Sequence, residues 1–455
     1  MPYQTINPYT DKLIKEYPQH DDNYVESALA TAHQLYKSDW AQGDISQRLA
    51  VLTQLAELFT QHEEELAKTI SQEMGKLIEQ SRGEVKICAA IAKYYADNAK
   101  ALLKPVKYPS KLGDAWVENH PIGIIMAVEP WNFPFYQLMR VLAPNMAVGN
   151  SVMVKHASIV PHCAETFERM VSQAGAPKGA YTNLFISQDQ VAKIIDDDRV
   201  SGVALTGSEQ AGSVVAAQAA KNLKKSTMEL GGNDVFVVLD DCDLDKAIKV
   251  GAQARLQNAG QVCTAAKRFI VHEKVADKFM AGFTQALESV KTGDPLDPQT
   301  TLGPLSSKGA LQNLVKQVDK AVKNGAKVKL GGKALDHAGY FYAPTILTDI
   351  KRENPAYFEE FFGPVAMIFV VKNDDEAVKL ANDSHYGLGG AIFTGDIERG
   401  KKMASRIETG MVFINTLSGT APELPFGGVK RSGYGHELAD LGIKEFVNQK
   451  LVVVA

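Results

Sequence analysis

Pro121-Ile122-Gly123-Ile124-Ile125-Met126-Ala127-Val128-Glu129-Pro130-Trp131-Asn132-Phe133-Pro134 marks the point where the period of the chain changes. Residues 121–128 are a short apolar run of strand length, and an apolar helical pattern follows from about 135 to 147. Between them, Asn132 is held by prolines that restrict the backbone on both sides. The alternation continues downstream. Strands are expected at 151–155, 181–186 and 203–206, with helices after Pro161, from about 189, and over 209–221. Strands alternating with helices imply parallel βαβ units and a doubly wound α/β sheet. Ligands of such sheets lie beyond the carboxyl ends of the strands, where Asn132, Lys155 and Gly207 fall.

A second alternation runs from Val235 to about 430, with strands expected at 235–239, 269–271, 365–371 and 411–415. Upstream, residues 1–20 read as an extended lead-in. Val25, Leu29 and Ala32, then Leu52, Leu55 and Phe59, repeat at helical spacing, and 62–100 reads as continued helix. Residues 106–121 read as an exposed strand or hairpin. The apolar tail 450–454 would be an open sheet edge if left alone, so it is expected to pair with another subunit.

The 455 residues suggest about three domains. A net charge of −4 without a basic block argues against nucleic acid as a partner. No run approaches the ~18 apolar residues of a membrane span, and the N-terminus lacks the pattern of a secretory signal. Cys88, Cys163, Cys242 and Cys263 show no C-x-x-C pairing, and no H-E-x-x-H occurs. This suggests reduced thiols in a cytoplasm, with no metal site.

One cysteine stands apart. In Gln257-Asn258-Ala259-Gly260-Gln261-Val262-Cys263-Thr264-Ala265-Ala266-Lys267-Arg268, Cys263 lies between a small-residue turn and an apolar strand. Alone it reads as a small buried hydrophobe or as a nucleophile. Met228-Glu229-Leu230-Gly231-Gly232 adds a carboxylate before a glycine pair, and Asn132 adds an amide donor. A nucleophile, a base and an oxyanion donor are the parts of covalent acyl chemistry. In isolation Glu229 also reads as a surface carboxylate and Asn132 as a turn-capping amide.

With these three stretches in order, the chain resembles the aldehyde dehydrogenase superfamily over nearly its whole length. The resemblance implies two doubly wound parallel-sheet domains plus a small oligomerisation element. Residues 1–105 with 122–230 would bind the dinucleotide, 231–445 would be catalytic, and 106–121 with 446–455 would join subunits into a homodimer or homotetramer. It implies that Cys263 attacks an aldehyde, that Asn132 and the Cys263 N–H hold the oxyanion, and that Glu229 activates the hydrolysing water. Branches that use coenzyme A typically lack this glutamate, so its presence favours a free acid as product.

The same resemblance places a nicotinamide dinucleotide on Trp131, Lys155, Ser158, Gly207, Ser208, Leu230, Glu360 and Phe362. Thr206-Gly207-Ser208-Glu209-Gln210-Ala211-Gly212 follows a strand and opens a helix, a setting suited to phosphate but also to a plain turn. Ser158 stands where NAD-preferring members often carry a glutamate against the 2′-phosphate, so NADP is expected to be accepted beside NAD.

For substrate, Arg140 matches an arginine that succinate-semialdehyde dehydrogenases use to grip the distal carboxylate, and Thr420 stands where they have a serine. Their second arginine is replaced by Gln257. Arg255, two residues earlier, is the available substitute, although on a helix it would point about 200° away. Its short length, Lys155-His156-Ala157-Ser158, and Gly260-Gln261-Val262-Cys263 followed by Ala266-Lys267-Arg268 resemble the short bacterial succinate-semialdehyde dehydrogenases. The competing readings are a dehydrogenase of other small aldehydes, such as glycolaldehyde or aliphatic ones, and a non-catalytic binding protein on the same fold.

Overall fold

The structure, a computed structural model, describes residues 2–455. Two large sheets carry the molecule. The first has six strands in the spatial order Gly433–Tyr434, Lys225–Glu229, Val200–Thr206, Ile124–Glu129, Ser151–His156 and Tyr181–Asn183, all parallel except the first. Strand Ile124–Glu129 shows why it is doubly wound. Its Ile125 and Ala127 enter one apolar cluster, while Ile124 and Met126 enter another on the opposite face, as the two-residue period of a strand requires. Helices Ser46–Gln61, Ile78–Leu102 and Pro134–Val148 cover the first face and Asp22–Tyr36 the second.

The second sheet has seven strands in the order Lys327–Leu330, Thr345–Thr348, Val365–Val371, Arg268–His272, Val235–Val238, Gly390–Phe393 and Phe413–Ile414. Only Lys327–Leu330 runs antiparallel. Gly433–Tyr434, expected with this second unit, instead pairs with Met228 and Glu229 at the edge of the first sheet.

Several sequence expectations shift. The strand expected at 121–128 is Ile124–Glu129, because Pro121 closes the preceding strand Asp114–Pro121. The lead-in is a hairpin of Tyr3–Asn7 and Lys12–Tyr17. The helix expected over 62–100 is two, Glu63–Met74 and Ile78–Leu102, separated where Gly75 takes φ 81° as a left-handed cap. The tail, Val447–Val454, pairs antiparallel with Asp114–Pro121 of its own chain, which also pairs with Val106–Tyr108. Its first partner is therefore within the subunit. It still forms an edge of this three-stranded sheet, with Leu451, Val453 and Val454 exposed.

Candidate active site

The carboxyl ends of Ile124–Glu129 and Val200–Thr206 border the point where strand order reverses in the first sheet, the expected ligand crevice. Asn132 follows one end and Gly207 the other. The second sheet faces this crevice with the opposite ends of its strands. Cys263 precedes Arg268–His272, and Glu360 precedes Val365–Val371. Between them lies a cavity of about 280 Å³ lined by Trp131, Asn132, Thr206, Gly207, Ser208, Leu230, Gly231, Cys263, Glu360 and Phe362, together with Pro130 and Gln137. Thus most of the sequence-predicted catalytic and cofactor residues meet in one place.

The nucleophile loop has an unusual backbone. Asn258 and Ala259 adopt left-handed φ values of 51° and 53°, conformations that cost about 1–3 kcal/mol each in a residue other than glycine. Hydrogen bonds hold them. The Asn258 N–H donates to Gln80 Oε1 at 2.9 Å, and Asn258 Nδ2 donates to the Asn132 carbonyl at 2.9 Å. Gly232 lets this loop close on the neighbouring strand connection, since a Cβ there would lie 2.6 Å from the Cys263 carbonyl oxygen. Arg255 is fully buried and donates to the carbonyls of Gly260 and Ala266. The expectation that it binds substrate is corrected: its helical position points it into the loop's foundation.

Asn132 Nδ2 donates to the Gln261 carbonyl at 3.1 Å. An amide NH₂ has two hydrogens, so one remains for an oxyanion. The Cys263 N–H meets no acceptor among the described residues. Cys263 keeps partial exposure, yet burial pushes its thiol up to about 12, opposed chiefly by the charges of Lys267 and Arg140. Glu229 is buried, its two carboxyl oxygens have no hydrogen-bond partner among the described residues, and it lies outside the cavity lining. Burial, reinforced by Glu437, raises its carboxyl well above the ordinary range, as base catalysis near neutrality needs.

A second groove of about 390 Å³ runs from Ser208 past Lys155 between helices Gln188–Asp196 and Glu209–Lys221, with Val128, Val191 and Val214 in its walls. The two cavities share Ser208. The Ser208 side chain caps the second helix by accepting from the Ala211 N–H, and Ser208, Gln210 and Ala211 of that helix terminus line the groove. Trp131 and Phe362 stand edge to face, 5.7 Å apart, at the Cys263 end. An elongated groove with a helix terminus at its middle and a carboxylate, Glu360, at one end fits a dinucleotide. Ser158 is half-buried, its carbonyl accepts from the Gln4 N–H, and it is not among the lining residues.

Arg140 departs most from expectation. It is buried and outside the cavity lining, with an ion pair from Nε to Glu437. One terminal nitrogen donates to the Tyr136 hydroxyl at 3.3 Å and the other to Thr206 Oγ1 at 3.1 Å. Its guanidinium also lies over the rings of Tyr136 and Phe426. The direct substrate grip expected of it is therefore corrected, because its charge is paired with buried Glu437 and the side chain lies outside the cavity lining. Thr420 Oγ1 lies 3.0 Å from the Tyr136 hydroxyl, so Arg140 reaches this exposed loop through Tyr136. Tyr136, Glu437 and Lys267 were not singled out by the sequence. Glu437 and Tyr136 carry no local signal, while Lys267 sits four residues past the nucleophile and reads there as an ordinary charge.

The chain matches the aldehyde dehydrogenase family over residues 1–452 and belongs to it. It is 45% identical to a succinate-semialdehyde dehydrogenase [NADP(+)] of Deinococcus radiodurans, over 99% of this chain and 94% of that protein. It is 42% identical to a probable succinate-semialdehyde dehydrogenase [NADP(+)] of Synechocystis sp., with both chains covered in full. Among solved structures, it is similar to succinic semialdehyde dehydrogenase from Streptococcus pyogenes in complex with NADP+, with a TM-score of 0.98, 48% identity and 99% of each chain covered.

Proposed function

We propose that this enzyme oxidises succinate semialdehyde to succinate, with NADP as the favoured acceptor and NAD as a second. The observation that carries the reading is the cavity in which Cys263, Asn132 and the Trp131–Phe362 frame converge. The names of its relatives support the choice of aldehyde and cofactor.

In this reading Glu360 holds the nicotinamide ribose, Gly207 and Ser208 the pyrophosphate, and Lys155 and Ser158 the adenosine end, with Leu230 packed beneath. The oxidised nicotinamide, when bound, supplies the hydride acceptor. The Cys263 thiolate adds to the aldehyde carbon, and a C–S bond forms as the carbonyl π bond becomes an oxyanion. Asn132 and the Cys263 N–H stabilise that oxyanion, each donor contributing about 10²–10³ in rate. Collapse of the oxyanion expels hydride and leaves a thioester. Glu229 takes a proton from water, which attacks the thioester carbon. The C–S bond breaks, and Cys263 departs as thiolate.

The Tyr136–Thr420 pair would receive the substrate's distal carboxylate, with Arg140 supplying its charge through Tyr136. Residues 1–105 and 122–230 would form the cofactor unit and 231–445 the catalytic unit. The element of 106–121 and 446–455, with its exposed apolar edge, supports a homodimer or homotetramer. The free cysteines suit a reducing cytoplasm.

The test is kcat/KM for a dozen small aldehydes with each cofactor. Succinate semialdehyde with NADP should give the highest value. A higher value for glycolaldehyde or an aliphatic aldehyde would overturn the substrate assignment, and a strict requirement for NAD would overturn the cofactor preference.

A further inference from the structure

Lys267 is fully buried. A buried ammonium is costly unless it is paired and hydrogen-bonded. The group has three N–H donors, and three acceptors surround it: the Val262 carbonyl at 2.9 Å, the Cys263 carbonyl, and Glu360 Oε1 at 2.9 Å. The ammonium is thereby fixed against the backbone of the nucleophile itself. It cannot swing toward substrate, so any effect on the sulfur acts through its field.

The charged groups facing the Cys263 thiol are Lys267, Arg140, Glu360 and Asp234, of which the first two favour the thiolate and the last two oppose it. They are not equivalent. Arg140 is matched by its ion pair with Glu437. Asp234 is buried, which pushes its carboxyl up to about 7, and it also faces Lys267, Glu360 and Arg268. The buried Arg255 guanidinium also interacts with the charges of Glu360 and Asp234. Lys267 donates to the nucleophile's own carbonyl, and among the described residues its one direct ionic partner is Glu360. Glu360 in turn accepts from the Gly232 N–H at 3.2 Å, so the position of this pair is set by the same strand connection that the Cys263 loop closes on.

We propose that Lys267 is a positioning residue that supplies the counter-charge for the Cys263 thiolate, and that Glu360 sets how much of that charge the sulfur feels. The proposal rests on Cys263 being the nucleophile. It is testable without turnover, so it stands or falls separately from the choice of aldehyde. The two partners should act in opposite directions. Removing the Lys267 charge makes the thiolate harder to form, and removing the Glu360 charge makes it easier.

The measurement is the rate at which iodoacetamide alkylates Cys263 in the full-length, cofactor-free enzyme, followed by peptide mapping to separate it from Cys242, at several fixed pH values. Only the thiolate reacts, so the rate below the thiol's pKa follows the thiolate fraction. Lys267→Met should slow alkylation at a given pH by roughly tenfold or more, one unit of pKa being a factor of ten in that fraction. Glu360→Gln should speed it by roughly threefold or more. An unchanged or faster rate in Lys267→Met overturns the proposal, and so does a slower rate in Glu360→Gln. A clamp that acted only by holding the loop would impair both variants in the same direction. If Lys267→Met does not fold, Glu360→Gln decides alone. Glutamine has nearly the same shape and keeps an acceptor for Lys267 and the Gly232 N–H.

Discussion

Arg140 and Ser158 carry the specificity account at the scale of single residues. Arg140 was legible as an arginine near the substrate, eight residues after Asn132. Its engagement with Glu437 was not, because the two lie far apart in sequence and a local reading cannot pair them. The burial of that pair changes the useful experiment. Removing Arg140 leaves a buried Glu437 uncompensated, a loss of about 3–5 kcal/mol, so Arg140→Ala is a stability variant first. Tyr136→Phe leaves the ion pair in place and removes only the hydroxyl between Arg140 and Thr420. It should raise KM for succinate semialdehyde roughly tenfold or more, as a lost charge-linked hydrogen bond of about 1.5–3 kcal/mol implies, with little change for an uncharged aldehyde of similar size. Equal effects on both aldehydes would remove Tyr136 from recognition. Ser158→Glu should selectively lower kcat/KM with NADP, because a carboxylate repels the 2′-phosphate. Equal losses with NAD and NADP would show that Ser158 does not face the phosphate.

Between elements, the first sheet was largely readable and the second only in part. Helix Glu209–Lys221 and strand Val365–Val371 fall where the apolar periods place them. The unreadable feature is relative orientation. Periodicity identifies strands but says nothing of which end of one sheet meets which end of another, so the approach of Cys263 and Glu360 from the amino ends of their strands emerges only in three dimensions. Nor does periodicity show what anchors the loop of Asn132. That loop runs into helix Pro134–Val148, whose first-turn N–H groups at Phe135 and Tyr136 donate to Glu84 Oε1 at 2.8 and 3.1 Å. Glu84 is also paired with buried Lys76, whose ammonium lies 3.6 Å from the centre of the Phe133 ring. Glu84→Ala strips that helix of its cap and leaves Lys76 unpaired, so unfolding in urea should show a loss of about 3–5 kcal/mol. Glu79→Ala, on the exposed side of the same helix as Glu84, should change little. Equal stabilities for the two variants would show that Glu84 does not anchor the loop.

Over the whole molecule, the three-stranded sheet of Val106–Tyr108, Asp114–Pro121 and Val447–Val454 carries the exposed apolar edge on which the proposed oligomer rests. Val106, Tyr108, Leu451 and Val454 are each more than half exposed, and edges of this kind are normally paired or covered. The sequence flagged the tail as an edge but could not say that its first partner lies in the same chain. Leu451→Glu combined with Val453→Glu should give a smaller species in sedimentation while leaving the Cys263 cavity intact. An unchanged sedimentation coefficient would show that subunits join elsewhere.

The central claim is a covalent intermediate on Cys263 that Glu229 helps to hydrolyse. Its most direct test is mass spectrometry of Glu229→Gln after brief exposure to succinate semialdehyde and NADP. The account predicts a burst of reduced cofactor, with one succinyl group trapped on the peptide that contains Cys263. Full turnover in Glu229→Gln with no acylated peptide, or acylation at any residue other than Cys263, would contradict it.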